Sequence, residues 1–444
     1  MKYYIITYGC QMNRSDSERI AAVFEKNEIK LTSNINEADF IIVNACSVRQ
    51  TAIDRIFGLE PKFKQLKAKN QRLKTILTGC VLPTDKIKLK KQFDYILDIK
   101  GLPKWSKALG IEKQELGIFD YFKIQPKYQN RFSAFVPISN GCDNFCAYCA
   151  VPYTKGRLFC RNHKEILKEI KCLVKKGYKE IWLLGQNVNR YRSILKIKRE
   201  QVRSSKQQKS KIIEFADLLK LINSIQGNFW IRFTSPHPKD FSDKLVNTMA
   251  QCKKVTPYLN LPAQSGDNEI LRKMRRPYTI EKYKKLISQI RNAFKKYRKG
   301  LEKEVAISTD IIVGFPGETK KQFENTVSLF KKIKYDMAYI AKFSPRPGTL
   351  AAKVKDDVSL REKERRRRVL TEILKKTALG NNKKFIGKIL EVLVEEKKKN
   401  FLIGKTRNYK TIKFKGPQNL VGRLANVKIE EALVWGLKGI LVSF

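Results

Sequence analysis

Twice along this chain of 444 residues, short β-branched and aromatic runs alternate with stretches of helical periodicity. The alternation restricts the fold severely. Parallel strands need a long crossover between them, usually a helix, so each series must build a parallel sheet faced with helices. The first series has strand signals at 3–8 (YYIITY), 39–43 (DFIIV), 74–78 (KTILT) and 95–97. Helical pattern fills 15–28 and the stretch up to about residue 70. The series closes near residue 120, and the polar segment 125–131 (QPKYQNR) reads as a linker. The second series has strand signals at 135–138, 180–184, 229–233, 257–261, 305–313 and 337–343. Six units fall short of the eight of a full barrel, so an incomplete (βα)6 barrel is expected over 130–372. The tail differs: five short runs at 388–395, 400–404, 410–415, 424–431 and 437–443, separated by glycines, predict a small β-barrel over 378–444. The expected fold class is α/β, with an N-terminal parallel-sheet domain (1–120), the partial barrel, and the small β-barrel.

Charge constrains the partner. Lysine and arginine total 92 against 42 aspartate and glutamate, a net charge of +50. Such a surface attracts a polyanion and gains from counterion release, so nucleic acid is the expected class of partner. No apolar run approaches the roughly 18–20 residues of a membrane span, and the first residues lack a signal-peptide pattern. A soluble, cytoplasmic chain is expected. Nine cysteines in that compartment point to metal ligation or redox chemistry rather than disulfides. The basic stretch 190–211 reads as a solvated insertion, with direct RNA contact as the alternative.

Cys142, Cys146 and Cys149 follow the first barrel strand, at the end of the barrel where sites are built. Three closely spaced thiolates can hold three irons of a [4Fe–4S] cluster, leaving the fourth iron open to a small molecule. Zinc, with His163 as a fourth ligand, is the competing reading. Cys10, Cys46 and Cys80 look scattered, yet each follows one strand of the first series. In a parallel sheet all three then lie at the carboxyl edge, where open α/β folds bind ligands. They should converge into a second metal or cluster site. Cys160, Cys172 and Cys252 read as ordinary thiols.

The string Cys142-Asp143-Asn144-Phe145-Cys146-Ala147-Tyr148-Cys149 resembles the mark of the radical S-adenosylmethionine (SAM) superfamily, with Tyr148 as the aromatic before the last cysteine. The strings Gly9-Cys10-Gln11-Met12-Asn13 with Asp16-Ser17-Glu18, Asn44-Ala45-Cys46-Ser47-Val48-Arg49 and Thr78-Gly79-Cys80-Val81 resemble the N-terminal methylthiotransferase domain. Residues 148–157, 235–238, 261–266, 310–319 and 344–349 resemble its tRNA-modifying branch, and the tail resembles the RNA-binding TRAM module. Together they resemble the tRNA-2-methylthio-N6-dimethylallyladenosine synthase family. Asn140, Asn260 and Cys160 stand where that pattern favours Glu, His and Ser.

The resemblance implies two [4Fe–4S] clusters and SAM. At Cys142, Cys146 and Cys149, SAM would be cleaved to a 5′-deoxyadenosyl radical that takes hydrogen from C2 of N6-isopentenyladenosine at tRNA position 37. Sulfur would come from the site of Cys10, Cys46 and Cys80, and a second SAM would supply the methyl group. The target base must leave the anticodon-loop stack. A flavodoxin or ferredoxin is the implied electron donor, and a monomer the expected state. Gln186, Asn187, Ser235 and Gln264, at or just past the ends of barrel strands, are candidate SAM contacts beside Tyr148. Arg232 points either into the barrel or to a helix. His237 reads as structural, or else as a proton carrier. Lys405, Arg407, Lys410 and Arg423 are candidate phosphate contacts, with Tyr409 a candidate stacking partner.

Overall fold

The computed structural model describes residues 1–47, 50–113, 120–196 and 210–444. Val48, Arg49 and most of the basic stretch 190–211 therefore lie outside the described residues. The chain divides into two compact units, and the division does not follow chain order. One comprises Met1–Asn130, Asn140–Phe159 and Ser344–Val354; the other comprises Arg131–Ser139, Cys160–Phe343 and Lys355–Phe444. Among the described residues no helix is long and apolar enough to cross a membrane.

In the first unit, strands β1 (Lys2–Thr7), β2 (Lys30–Leu31), β3 (Phe40–Cys46), β4 (Lys74–Cys80) and β5 (Tyr95–Ile96) form one parallel sheet in the order β2-β1-β3-β4-β5. All seven residues of β3 are buried, as a central parallel strand covered on both faces requires. Alternate residues serve opposite faces. Phe40 and Ile42 join a core with Ile20 and Phe24 of helix α1 (Gln11–Lys26). Ile41 and Val43 join the other core, with Ile53 of helix α2 (Gln50–Phe57) and Phe63 of helix α3 (Glu60–Lys69). A further helix, α4 (Pro83–Leu89), follows β4.

In the second unit, strands Ser133–Pro137, Glu180–Leu184 and Trp230–Phe233 are parallel neighbours, as are Tyr258–Asn260, Ala306–Val313 and Met337–Lys342. A parallel bridge between Ile231 and Val255 links the two triplets. Helices separate successive strands, which makes the incomplete (βα)6 barrel. The tail forms a closed five-stranded barrel from Ile389–Lys398, Phe401–Thr406, Thr411–Phe414, Leu424–Leu433 and Gly436–Ser443. Val392, Leu402, Ile412, Phe414 and Val427 fill its interior.

Arg232 lies among partial-barrel strands and not against a helix: it donates to Thr256 Oγ1 at 3.1 Å and lies over the Trp182 ring. Its fully buried guanidinium pairs with Glu180 at 2.5 Å and donates to the carbonyls of Thr406 (2.7 Å) and Arg407 (3.0 Å) in the small barrel. Tyr409 lies against Tyr258, with ring centres 4.6 Å apart, and under the Arg232 guanidinium. The small barrel therefore packs on the ends of the partial-barrel strands that begin at Glu180, Trp230 and Tyr258.

Candidate functional site

Cys46 and Cys80 are the last residues of β3 and β4, and they are direct partners in register. Cys10 is the exposed residue that opens α1 after β1. At Gly9, next to Cys10, an added Cβ would lie only 3.1 Å from the Cβ of Cys46. The three cysteines thus lie at one sheet edge. Burial pushes the Cys80 thiol up to about 12; Lys155 opposes this, while Cys46, Asp16 and Cys10 add to it.

Polar side chains around these thiols hold the edge together. Asn13 donates to Asn44 Oδ1 and to the Ala45 carbonyl, both at 3.0 Å. Asn44 donates back to the Asn13 carbonyl (2.7 Å) and to Ser17 Oγ (2.9 Å). Ser47 N–H donates to the Cys80 carbonyl, and Ser47 Oγ accepts from Leu82 N–H. Asn13, Ser17, Asn44 and Ser47 therefore fasten α1 and the ends of β3 and β4 to one another. Sequence reading attached no such role to them, although all four lie within the motifs around the cysteines.

Cys142, Cys146 and Cys149 lie on a loop of the same unit. Cys142 and Cys146 are buried and Cys149 is partly exposed. The loop closes on itself: Cys142 N–H donates to the Gly156 carbonyl at 3.1 Å, and Cys149 N–H to the Cys146 carbonyl at 3.0 Å. Gly141 has φ +81°, and a Cβ there would stand 2.0 Å from the Arg157 carbonyl oxygen, so only glycine fits. Tyr148 is partly exposed on this loop.

Two buried ion pairs join this loop and the segment 344–354 to the parallel sheet. Lys155, at the end of the short helix Val151–Lys155, pairs with Asp16 of α1 at 2.8 Å, and each side chain is 2% exposed. Tyr121 donates its hydroxyl hydrogen to the other oxygen of Asp16. Arg346 pairs with Asp85 of α4 at 3.0 Å and donates to Gln50. Ala351 N–H donates to the Ala147 carbonyl at 2.7 Å. No cysteine is in a disulfide among the described residues.

Both cysteine sets suit an iron–sulfur cluster by donor chemistry. Each offers three thiols, the ligands that such clusters take, one thiolate to each of three irons. Among the described residues no three His, Cys, Asp or Glu side chains gather as a single metal ion requires. His163 Nδ1 is engaged by Ser193 Oγ at 2.9 Å.

The candidate SAM contacts occupy the carboxyl ends of strands in the partial barrel. Ser235 (φ +55°) and Gln264 (φ +69°) both adopt the left-handed backbone region, which costs energy in residues other than glycine and collects at functional positions. Asn187 is buried and donates to Asp240 at 2.7 Å, while its Oδ1 lacks a partner among the described residues. Gln186 is partly exposed beside it. His237 Nδ1 accepts from Lys239 N–H, which leaves the hydrogen on Nε2. Burial, with Arg276, Lys239 and Arg190, lowers the His237 pKa to about 2, so the ring is neutral and caps a turn.

The candidate RNA contacts divide. Lys410 is buried and pairs with Asp336 at 2.6 Å; Arg407 pairs with Glu302 at 2.6 Å. Lys405 donates to Thr411 Oγ1 and lies over the Tyr409 ring. These three, with Tyr409, face the joint between the small barrel and the partial barrel. Arg423 is exposed.

Comparison with known proteins assigns the chain. Residues 2–99 match the model of uncharacterized protein family UPF0004, residues 136–330 the radical SAM superfamily, and residues 383–442 the TRAM domain. A solved radical S-adenosylmethionine methyltransferase, TsrM from Kitasatospora setae, shares the fold with a TM-score of 0.51 at 12% identity, over 77% of this chain and 72% of that one. A tRNA-2-methylthio-N(6)-dimethylallyladenosine synthase from Thermoanaerobacter sp. (strain X514) is 39% identical over 99% of this chain and 93% of its own length. One from Clostridium botulinum (strain Hall) is 40% identical over 99% of this chain and 96% of its own. At that identity, over almost the entire chain and with three family models matched in order, the chain belongs to the tRNA-2-methylthio-N(6)-dimethylallyladenosine synthase family of radical SAM enzymes.

Proposed function

We propose that this radical SAM tRNA methylthiotransferase works through two three-cysteine sites, with N6-isopentenyladenosine at position 37 of the tRNA anticodon loop as its substrate base. Cys142, Cys146 and Cys149 would hold the [4Fe–4S] cluster that binds SAM, and Cys10, Cys46 and Cys80 the auxiliary one. When bound, the first group supplies the electron that cleaves SAM, and the second supplies sulfur. The observation that carries this reading is the meeting of Cys46, Cys80 and Cys10 at one sheet edge, within the compact unit that also holds the other three cysteines.

This chain's own residues orient and shield that chemistry. Gly141 and the Cys142–Gly156 hydrogen bond keep the three-cysteine loop closed. Asn13 and Asn44 hold the sheet edge. Tyr148, Gln186, Asn187, Ser235 and Gln264 are the proposed contacts for SAM. Arg423 is the proposed phosphate contact of the small barrel. For Lys405, Arg407 and Lys410 the same role would require them to leave their present partners, so we assign them to the joint instead. The three-part division at 1–120, 130–372 and 378–444, a flavodoxin or ferredoxin as electron donor, a monomer, and a cytoplasmic location complete the proposal.

The test is anaerobic reconstitution followed by iron counting and nucleoside mass spectrometry with dithionite, SAM and isopentenylated tRNA. A [4Fe–4S] cluster in each site means about eight irons per chain. The Cys10/Cys46/Cys80→Ala variant should lose half the iron and all of the 2-methylthio product while still forming 5′-deoxyadenosine. The Cys142/Cys146/Cys149→Ala variant should lose half the iron and all SAM cleavage. Full product from either variant would overturn the two-site reading.

A further inference from the structure

Lys155 joins the two cysteine sites. On one side its helix is bound to the three-cysteine loop, because the Gly156 carbonyl accepts from Cys142 N–H. On the other its ammonium pairs with Asp16, which α1 carries behind Cys10. Asp16 is held in turn by the Tyr121 hydroxyl, and Arg19 lies over the Tyr121 ring at 5.2 Å. The helix of Lys155 also packs on β4, the strand that ends in Cys80.

A buried ion pair is a poor way to gain stability. Desolvating two charges costs about as much as their attraction returns, and well-packed apolar residues often do better. The pair does, however, fix a position and a charge. We propose that Lys155 is a positioning residue for sulfur transfer: through Asp16 it holds the loop of Cys142, Cys146 and Cys149 against the edge that carries Cys10, Cys46 and Cys80, and it balances the Asp16 charge near the strand that ends in Cys80. Its loss uncouples the sites, so that SAM is still cleaved but sulfur no longer reaches the base. This inference rests on the two-site reading above.

The experiment uses the full-length reconstituted protein and two readouts. The first is the ratio of 2-methylthio product to 5′-deoxyadenosine. The second is the midpoint potential of the auxiliary cluster, titrated by electron paramagnetic resonance in a Cys142/Cys146/Cys149→Ala background. Lys155→Met should lower the ratio at least tenfold, about 1.4 kcal/mol of coupling or more. It should also lower the potential, because removing a positive charge disfavours electron uptake. Lys155→Arg should restore both. If the uncompensated Asp16 charge prevents Lys155→Met from folding, Asp16→Asn/Lys155→Met carries the ratio readout; with both charges of the pair removed, its potential should stay near the wild-type value. An iron-loaded Lys155→Met with wild-type ratio and potential, or an iron-loaded double variant with wild-type ratio, overturns the inference. If the wild type itself makes no thiolated base, the two-site reading fails. The potential, which needs no turnover, still decides the role of Lys155.

Discussion

Gly79 shows how tightly single residues are held at the sheet edge. Its φ is +96°, and an added Cβ would stand 2.5 Å from the Ala45 carbonyl oxygen and 2.8 Å from the Ala45 nitrogen. Backbone cannot yield as a flexible side chain can. Gly79→Ala should therefore cost about 1–3 kcal/mol and displace Cys80. The expected outcome is a lower thermal midpoint together with loss of iron from the auxiliary site, read by calorimetry and iron counting; an unchanged midpoint and a full complement of iron would contradict it. Residue chemistry was legible where it is local: three thiols in one short loop, or a thiol after each strand, announce themselves by spacing. Asn13, Asn44 and Lys155 were not legible as structural ties, because each acts on a partner remote in sequence. The charge of Lys410 and Arg407 was legible, but its direction was not. Their partners, Asp336 and Glu302, come from the partial barrel and turn basic side chains of the tail inward.

At the scale of elements, the strand signals located all six partial-barrel strands and all five strands of the tail barrel to within a few residues. Boundaries moved at the first sheet. Strands expected to stop at 43 and 78 run on to Cys46 and Cys80, so those two thiols terminate the strands instead of following them. The reason is pairing: β3 and β4 remain in register through Ala45–Gly79 and Cys46–Cys80, and ladder hydrogen bonds prevail over the weak strand preference of Asn, Gly and Ala. The docking of the tail barrel was invisible to periodicity, since one arginine within a strand carries much of it. Arg232→Leu would leave Glu180 buried without its cation, at a cost of about 3–5 kcal/mol. We expect a lower unfolding midpoint and faster amide exchange in Phe401–Thr406, whose last carbonyl the guanidinium holds; protection equal to wild type in that strand would refute this account of the joint.

Across the whole molecule, the charge of +50 makes polyanion binding dominate association. Affinity for tRNA should fall steeply with salt, and a lost phosphate contact should lower the log–log slope by about one. Arg423→Gln should do this without altering stability. Lys410→Gln should leave the slope unchanged and lower the unfolding midpoint. Both are read from binding isotherms at several salt concentrations, paired with thermal melts, and the reverse pattern would return Lys410 to the RNA surface. The class of fold, the two sets of cysteines and the reaction family were all readable along the chain, because periodicity, thiol spacing and motif strings are local properties. Which charges face a partner and which lock the interior emerged from the folded chain. A buried ion pair such as Lys155–Asp16, or an anchor such as Arg232 on Thr406, depends on residues more than a hundred positions apart meeting in a dry environment, and no local pattern encodes that meeting.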